Sequence, residues 1–179
     1  QLDFDFFGPP EPIDVTLPGS PAKRYWYMIY TITNRTGTPV EFYPRFELLT
    51  NTMKLYDAGL NARRPIFQAI SARYHSKYPL LEPESMITGR ILQGDDNARD
   101  SVVIFANFDP NATSVEIFIA GLSNETTMVK IPGTVDPVTK KPKEVLLRKT
   151  LVLQYHVPSD PLRPEKRVML YRGRKWVMR

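Results

Sequence analysis

Lys23-Arg24-Tyr25-Trp26-Tyr27-Met28-Ile29-Tyr30-Thr31-Ile32-Thr33 is the stretch whose reading decides the fold. Aromatic and β-branched side chains fill most of it. They fit a pleated, half-buried surface and lose rotamer freedom in a helix, so the stretch predicts a long β-strand. Neighbouring strand residues point to opposite faces. Two alternating sets follow, Tyr25/Tyr27/Ile29 and Trp26/Met28/Tyr30. Burial of both would mean a strand covered on both sides, for instance by the N-terminal segment or by another subunit.

Working outward, Ile13–Leu17 alternates as an earlier strand and Pro18-Gly19-Ser20 closes it. Asn34–Pro39 makes a turn, and Val40–Thr50 returns as a strand in which Pro44 predicts a bulge or an edge, because proline cannot donate to a ladder. Met53–Tyr56 reads as a short third strand of the same meander. Ile66, Phe67, Ile70 and Tyr74 then recur at helical spacing behind Pro65, and Pro79 ends the run. That spacing predicts one amphipathic helix over about 66–77, with Arg64, Arg73 and Lys77 on its wet face. Strand patterning resumes at Met86–Leu92, Ser101–Ala106, Val115–Ala120, Thr126–Ile131, Glu144–Val157 and Val168–Met178. The Asp109-Pro110-Asn111 turn predicts a hairpin of Ser101–Ala106 with Val115–Ala120. The Pro/Lys/Thr-rich stretch 132–143 reads as an exposed, mobile hairpin loop.

About nine strands with a single helix predict an all-β fold, an immunoglobulin-like antiparallel β-sandwich carrying one short inserted helix. A closed barrel is the alternative. A parallel α/β sheet is excluded, since one helix cannot supply the crossovers. The first twelve residues form a separate element. Pro9, Pro10 and Pro12 forbid a helix there, while Leu2, Phe4 and Phe6 alternate with acids. The organisation expected is an extended arm over 1–12, rich in Pro and Phe, and a sandwich domain over 13–179. The arm lies along its own domain or inserts into a neighbour.

The aromatic strand ending in Asn34-Arg35-Thr36-Gly37, followed by Val40-Glu41-Phe42-Tyr43-Pro44-Arg45-Phe46, resembles exported bacterial immunoglobulin-like domains. So do the segments Ser101–Ala106 with Val115–Ser123 and Arg148–Tyr155. Domains of this kind are mostly uncharacterised envelope or cell-surface components. The resemblance implies export to the periplasm or cell surface and brings no catalytic residue with it. The chain opens on Gln1 rather than Met, so a missing leader says nothing about compartment. Its apolar runs are far shorter than the roughly 20 residues of a membrane-spanning helix.

The chain's 179 residues contain no cysteine and only two histidines, His75 and His156. Disulfides, cysteine-ligated zinc, iron–sulfur clusters and thiol catalysis are thereby removed. No Gly-x-Ser-x-Gly, phosphate-binding loop, dinucleotide fingerprint or His-Glu-x-x-His occurs, and neither histidine sits in a catalytic motif. The expectation is no enzyme and no cofactor. Asp95, Asp96, Asn97 and Asp100 are an oxygen cluster of the type calcium uses, but the spacing is not an EF-hand and a solvated turn explains it as well. Asn34, Asn111 and Asn124 head glycosylation sequons that also read as turn chemistry.

Charge is concentrated at one end. Residues 160–179 hold seven basic and two acidic side chains, which accounts for the net charge of +5. Residues 1–14 hold four acids and no base. The basic segment, with Tyr171 and Trp176 among its cations, has the ingredients of a nucleic-acid surface. A strand whose cations guard a sheet edge is the stronger reading, with Gly173 as a bulge or tight turn. Nucleic acid is thus not the expected partner. The function expected is a structural or interaction module of an envelope assembly that binds other subunits or its own copies. Phe4, Phe6 and Phe7 of the arm and Arg172, Arg174 and Lys175 of the basic strand are the candidate contacts. A carbohydrate- or peptide-binding domain is the second expectation, carried by the abundant Tyr and Trp.

Overall fold

The interior is built on β3 (Lys23–Thr33), whose two alternating sets are both buried. This computed structural model describes residues 1–59, 64–135, 137–138, 140–158 and 166–179. Asp136 and Thr139 of the expected loop, and Asp160, Arg163 and Glu165 of the basic stretch, lie outside the described residues.

One sheet is centred on β3. β1 (Asp3–Phe6) and β2 (Glu11–Val15) pair in succession along one side of it, and β9 (Arg99–Ala106) pairs along the other. The two-residue β7 (Glu82–Pro83) adds a parallel rung to β9. The second sheet runs β11 (Thr126–Val135), β12 (Pro142–His156), β10 (Ser114–Ala120), β5 (Arg45–Thr50) and β6 (Leu55–Asp57). β13 (Leu170–Met178) lies on the other side of β12. Strands make up 52% of the chain and helices 11%, which makes the protein all-β.

The two sheets face each other across one core. Trp26, Met28 and Tyr30 of β3 meet Phe46 and Leu48 of β5, Ile117 of β10 and Leu153 of β12. The Trp26 indole N–H donates to Asn107 Oδ1 at 3.0 Å, which satisfies the one polar group of that side chain. The other set, Tyr25, Tyr27 and Ile29, lies beneath α1 (Arg64–Tyr74), where Ile66 and Ile70 are fully buried. Each isoleucine contributes about 1.5–3 kcal/mol by leaving water. The strand is therefore covered on both faces, by the second sheet and by the chain's own helix. Tyr74 and Arg73 tie that helix down. The Tyr27 and Tyr74 hydroxyls each lie 3.0 Å from Glu11 Oε2, and an Arg73 N–H donates to Tyr27 at 3.2 Å.

Four sequence expectations need correction. Val40–Thr50 is not one strand: Pro44 divides it into β4 (Val40–Phe42) and β5, and β4 pairs with β8 (Gly89–Ile91) in a separate small sheet. Met86–Leu92 is not one strand either. Pro83 opens a single helical turn, α2 (Glu84–Ile87), and Gly89 at φ +113° re-aims the chain into β8, so that Ile87 and Ile91 are both buried. β9 and β10 do not form a hairpin, because the Asn107–Thr113 connection carries the chain from one sheet to the other. The loop expected over 132–143 is partly ladder, with Val135 opposite Pro142. The helix is real but ends at Tyr74, earlier than Pro79 suggested.

The segment 1–12 is part of the first sheet. Leu2 and Phe4 are buried in the shared core, so the arm lies along its own domain. Between Phe6 opposite Tyr30 and Glu11 opposite Tyr27, the arm uses four residues where β3 uses two. Gly8, Pro9 and Pro10 absorb that excess. Prolines are tolerated there because the segment is an edge.

Candidate interaction site at the sheet edges

The arm and the basic strand come together. β1 is the outer strand of one sheet and β13 the outer strand of the other, and both border the same flank of the core. Their rings meet where Phe6 and Tyr171 stand 5.4 Å apart. Beside that contact is a concavity of about 250 Å³ lined by Asp3, Phe4, Asp5, Arg35, Leu151, Arg174 and Trp176. Arg35 bridges Asp3 and Asp95, each at 2.7 Å. Sequence reading missed Arg35; nothing in its turn marks it, since folding alone brings it to Asp3.

Ladder parity sets what β13 offers. Arg148 and Arg179 exchange both backbone hydrogen bonds, at 2.7 and 3.0 Å. In an antiparallel pair such exchanges recur at every second residue. Val177, Lys175 and Gly173 therefore face β12, while Arg174, Trp176 and Met178 turn their N–H and C=O groups outward. On β1 the Phe7 N–H donates to Ile29 at 3.1 Å and the Leu2 N–H to Leu122 at 2.8 Å. The same parity turns the polar groups of Phe4 and Phe6 toward this flank. Gly173 has φ +154° and marks the register shift in β13, so the expected bulge is there.

The six residues singled out from sequence divide among three places. Phe4 is buried, stacked 5.1 Å from Tyr30, and Phe6 is half-buried against Tyr171. Phe7 is exposed but lies against Tyr78, with the Lys77 ammonium over its ring. Arg174 lies at the flank. The bulge at Gly173 sends Arg172 to the outer face of the second sheet, and Lys175 pairs there with Glu116 at 3.2 Å. The fold thus brings Phe4 and Arg174 to one concavity, with Phe6 against Tyr171 beside it, and places Phe7, Arg172 and Lys175 elsewhere.

That outer face holds two open depressions. One, of about 530 Å³, is lined by Leu49, Asn51, Glu116, Gln154, His156 and Arg172; Gln154 donates to Glu116 at 2.7 Å. Among the described residues no carboxylate accepts a hydrogen bond from His156, and His75 is exposed just beyond the end of α1. The second, of about 520 Å³, holds the nearly buried Glu47 between Arg45 and Arg179, with the Arg179 guanidinium 4.3 Å over Phe118. The aromatic-lined cleft of Phe7, Tyr27, Tyr74 and Tyr78 measures about 90 Å³. Ligand pockets usually need at least about 300 Å³.

The Asp95–Asp100 oxygens do not converge. Asp95 is engaged by Arg35, and Asp100 accepts from the Thr31 hydroxyl at 2.5 Å. Among the described residues no three acids or histidines are grouped to hold a metal. Of the sequons, Asn34 is fully buried; its amide donates to Thr38 and Ile91 carbonyls at 2.8 and 3.0 Å, so the fold leaves no room for a glycan on it. Asn111 and Asn124 are exposed.

Two carboxylates are strongly perturbed. Burial pushes Glu84 up to about 7, and its Oε2 has no partner among the described residues. Lys54, the Asn111 N–H and the Thr52 hydroxyl hold Asp109 down to about 2. Both have structural surroundings: Glu84 opens α2, and Asp109 anchors the turn between β9 and β10. No described helix is long and apolar enough to cross a membrane. Comparison with protein-family models, curated proteins and solved structures finds no match.

Proposed function

We propose that the protein is a non-enzymatic interaction module, an immunoglobulin-like sandwich exported to a bacterial periplasm or cell surface, where it serves as a structural subunit of an envelope assembly. The observation that carries this reading is the flank at which β1 and β13 both present edge groups unpaired among the described residues, beside Arg174 and Trp176. The chain's crossings between sheets, from β3 to β5, from β6 to β7 and from β9 to β10, support the immunoglobulin-like order. The resemblance of the aromatic strand and its turn supports the address. Sedimentation and intact-mass analysis of material from its native source tests the reading. A complex larger than one chain is expected, lost on Trp176→Asp; a sole monomer in both cases contradicts it.

Sugar binding through stacked aromatics has less support. The two depressions on the outer face of the second sheet hold the Gln154–Glu116 and Glu47–arginine contacts, and the aromatic cleft is too small for a saccharide ring with its hydroxyls.

A further inference from the structure

Among the described residues several sheet edges are short, irregular or carry proline, whereas β13 is long and open past its bulge. β1 has four residues, β2 holds Pro12, and the four-against-two irregularity with Pro9 and Pro10 lies between them. β6 has three residues, β7 two, and β11 is broken by Pro132 and a register shift. Short strands, prolines and bulges are the usual means of keeping an edge from pairing. β13 is nine residues long and has no proline. Past its bulge, Arg174, Trp176 and Met178 hold their backbone donors and acceptors outward, and Trp176 is 37% exposed.

Charge selects the occupant. β13 contains Arg172, Arg174 and Lys175 and no acid. Lys175 is matched to Glu116, whereas Arg172 and Arg174 have no ion pair among the described residues. Pairing β13 with β13 of a second copy would gather cations from both strands, and like charges across a ladder repel. We infer that β13 is a docking edge for an extended acidic segment of a partner protein, added as a further strand beside Arg174–Met178. This rests on the interaction-module reading and names the partner's chemistry. Backbone bonds supply the pairing, as in other strand additions, and the arginines supply sign. A segment of about six residues, roughly 20 Å, spans the open row.

The test uses a fluorescein-labelled, end-blocked peptide of four Thr-Glu repeats, read by anisotropy. Saturable binding is expected, weakened about tenfold by Arg174→Glu and again by raising salt from about 50 to 300 mM, since screened charges steer and hold less. A fully N-methylated peptide of equal charge has no strand donors and should not bind. Equal binding of that peptide, absence of binding by the parent, or tighter binding of single-stranded oligonucleotide overturns the inference. Loss of the native complex on Trp176→Asp without any peptide binding removes the acidic partner but leaves the module. Circular dichroism of Arg174→Glu, an exposed site, checks that its fold is intact.

Discussion

Phe6 of β1 and Tyr171 of β13 meet with ring planes inclined at 59°, and Tyr171 in turn stands 5.8 Å from Tyr155 of β12. This contact joins an outer strand of one sheet to an outer strand of the other and closes one end of the open flank. Tyr171→Ala removes both ring pairs. A loss of about 1–2 kcal/mol in urea unfolding is expected, at about 0.5–1.5 kcal/mol per pair. A loss below about 0.3 kcal/mol would show that the sheets hold together without it.

α1 belongs to the core rather than decorating it. Ile70→Ala leaves a cavity against Tyr27 and Ile29 and should lower stability by about 2–4 kcal/mol. Arg64→Ala, on the exposed side of the same helix, should change it by less than about 0.5 kcal/mol. Equal effects would mean that the helix does not seal the sheet.

Glu84 and Asp109 make stability depend on pH in opposite directions. Folded Glu84 keeps its proton to about pH 7, while the unfolded group releases it near 4.5. Stability therefore falls as pH rises from 4.5 toward 7 and stays lower above. Asp109 is ionised in the fold down to about pH 2, against 3.8 for the ordinary group. Its contribution is complete above that ordinary value and is lost as pH falls through 2. Glu84→Gln should raise the melting temperature at about pH 8, by at most about 2 kcal/mol of stability, and leave it unchanged near pH 4. A gain of the same size at both values would assign the effect to something other than ionisation.

Gly121, after β10, stands at φ +95°, and a Cβ there would lie 2.6 Å from the Tyr43 carbonyl oxygen. Gly121→Ala combines backbone strain with a clash against main chain that cannot swing away. A loss of more than about 2 kcal/mol is expected in denaturant unfolding. Gly37→Ala has a positive φ but open space around it, so its loss should be about 1 kcal/mol.

Lys23–Thr33 was legible because period-two alternation of aromatic and branched side chains is local, and local pattern is what a sequence displays. The same holds for the helix, whose apolar spacing is written within Ile66–Tyr74. β4 and β8 were harder. Pro44 announced an interruption, but nothing in either segment says that Val40 will sit opposite Ile91. The hairpin expected around Asp109-Pro110-Asn111 failed for a related reason. A turn signal shows that the chain bends and leaves open whether it returns to the same sheet or crosses the core.

By itself, the sequence determined the strand-rich class, the extended, non-helical character of the proline-bearing arm, and the concentration of positive charge near Arg172–Arg179. All of these follow from side-chain shape and charge along one segment. Tertiary structure alone decided what covers β3, that α1 rather than a neighbour seals its outer face, and that Arg35 neutralises Asp3. It also decided which polar groups of β13 face outward. Those facts depend on register and on contacts between segments far apart in the chain, and hydrogen-bond parity exists only once two strands have paired.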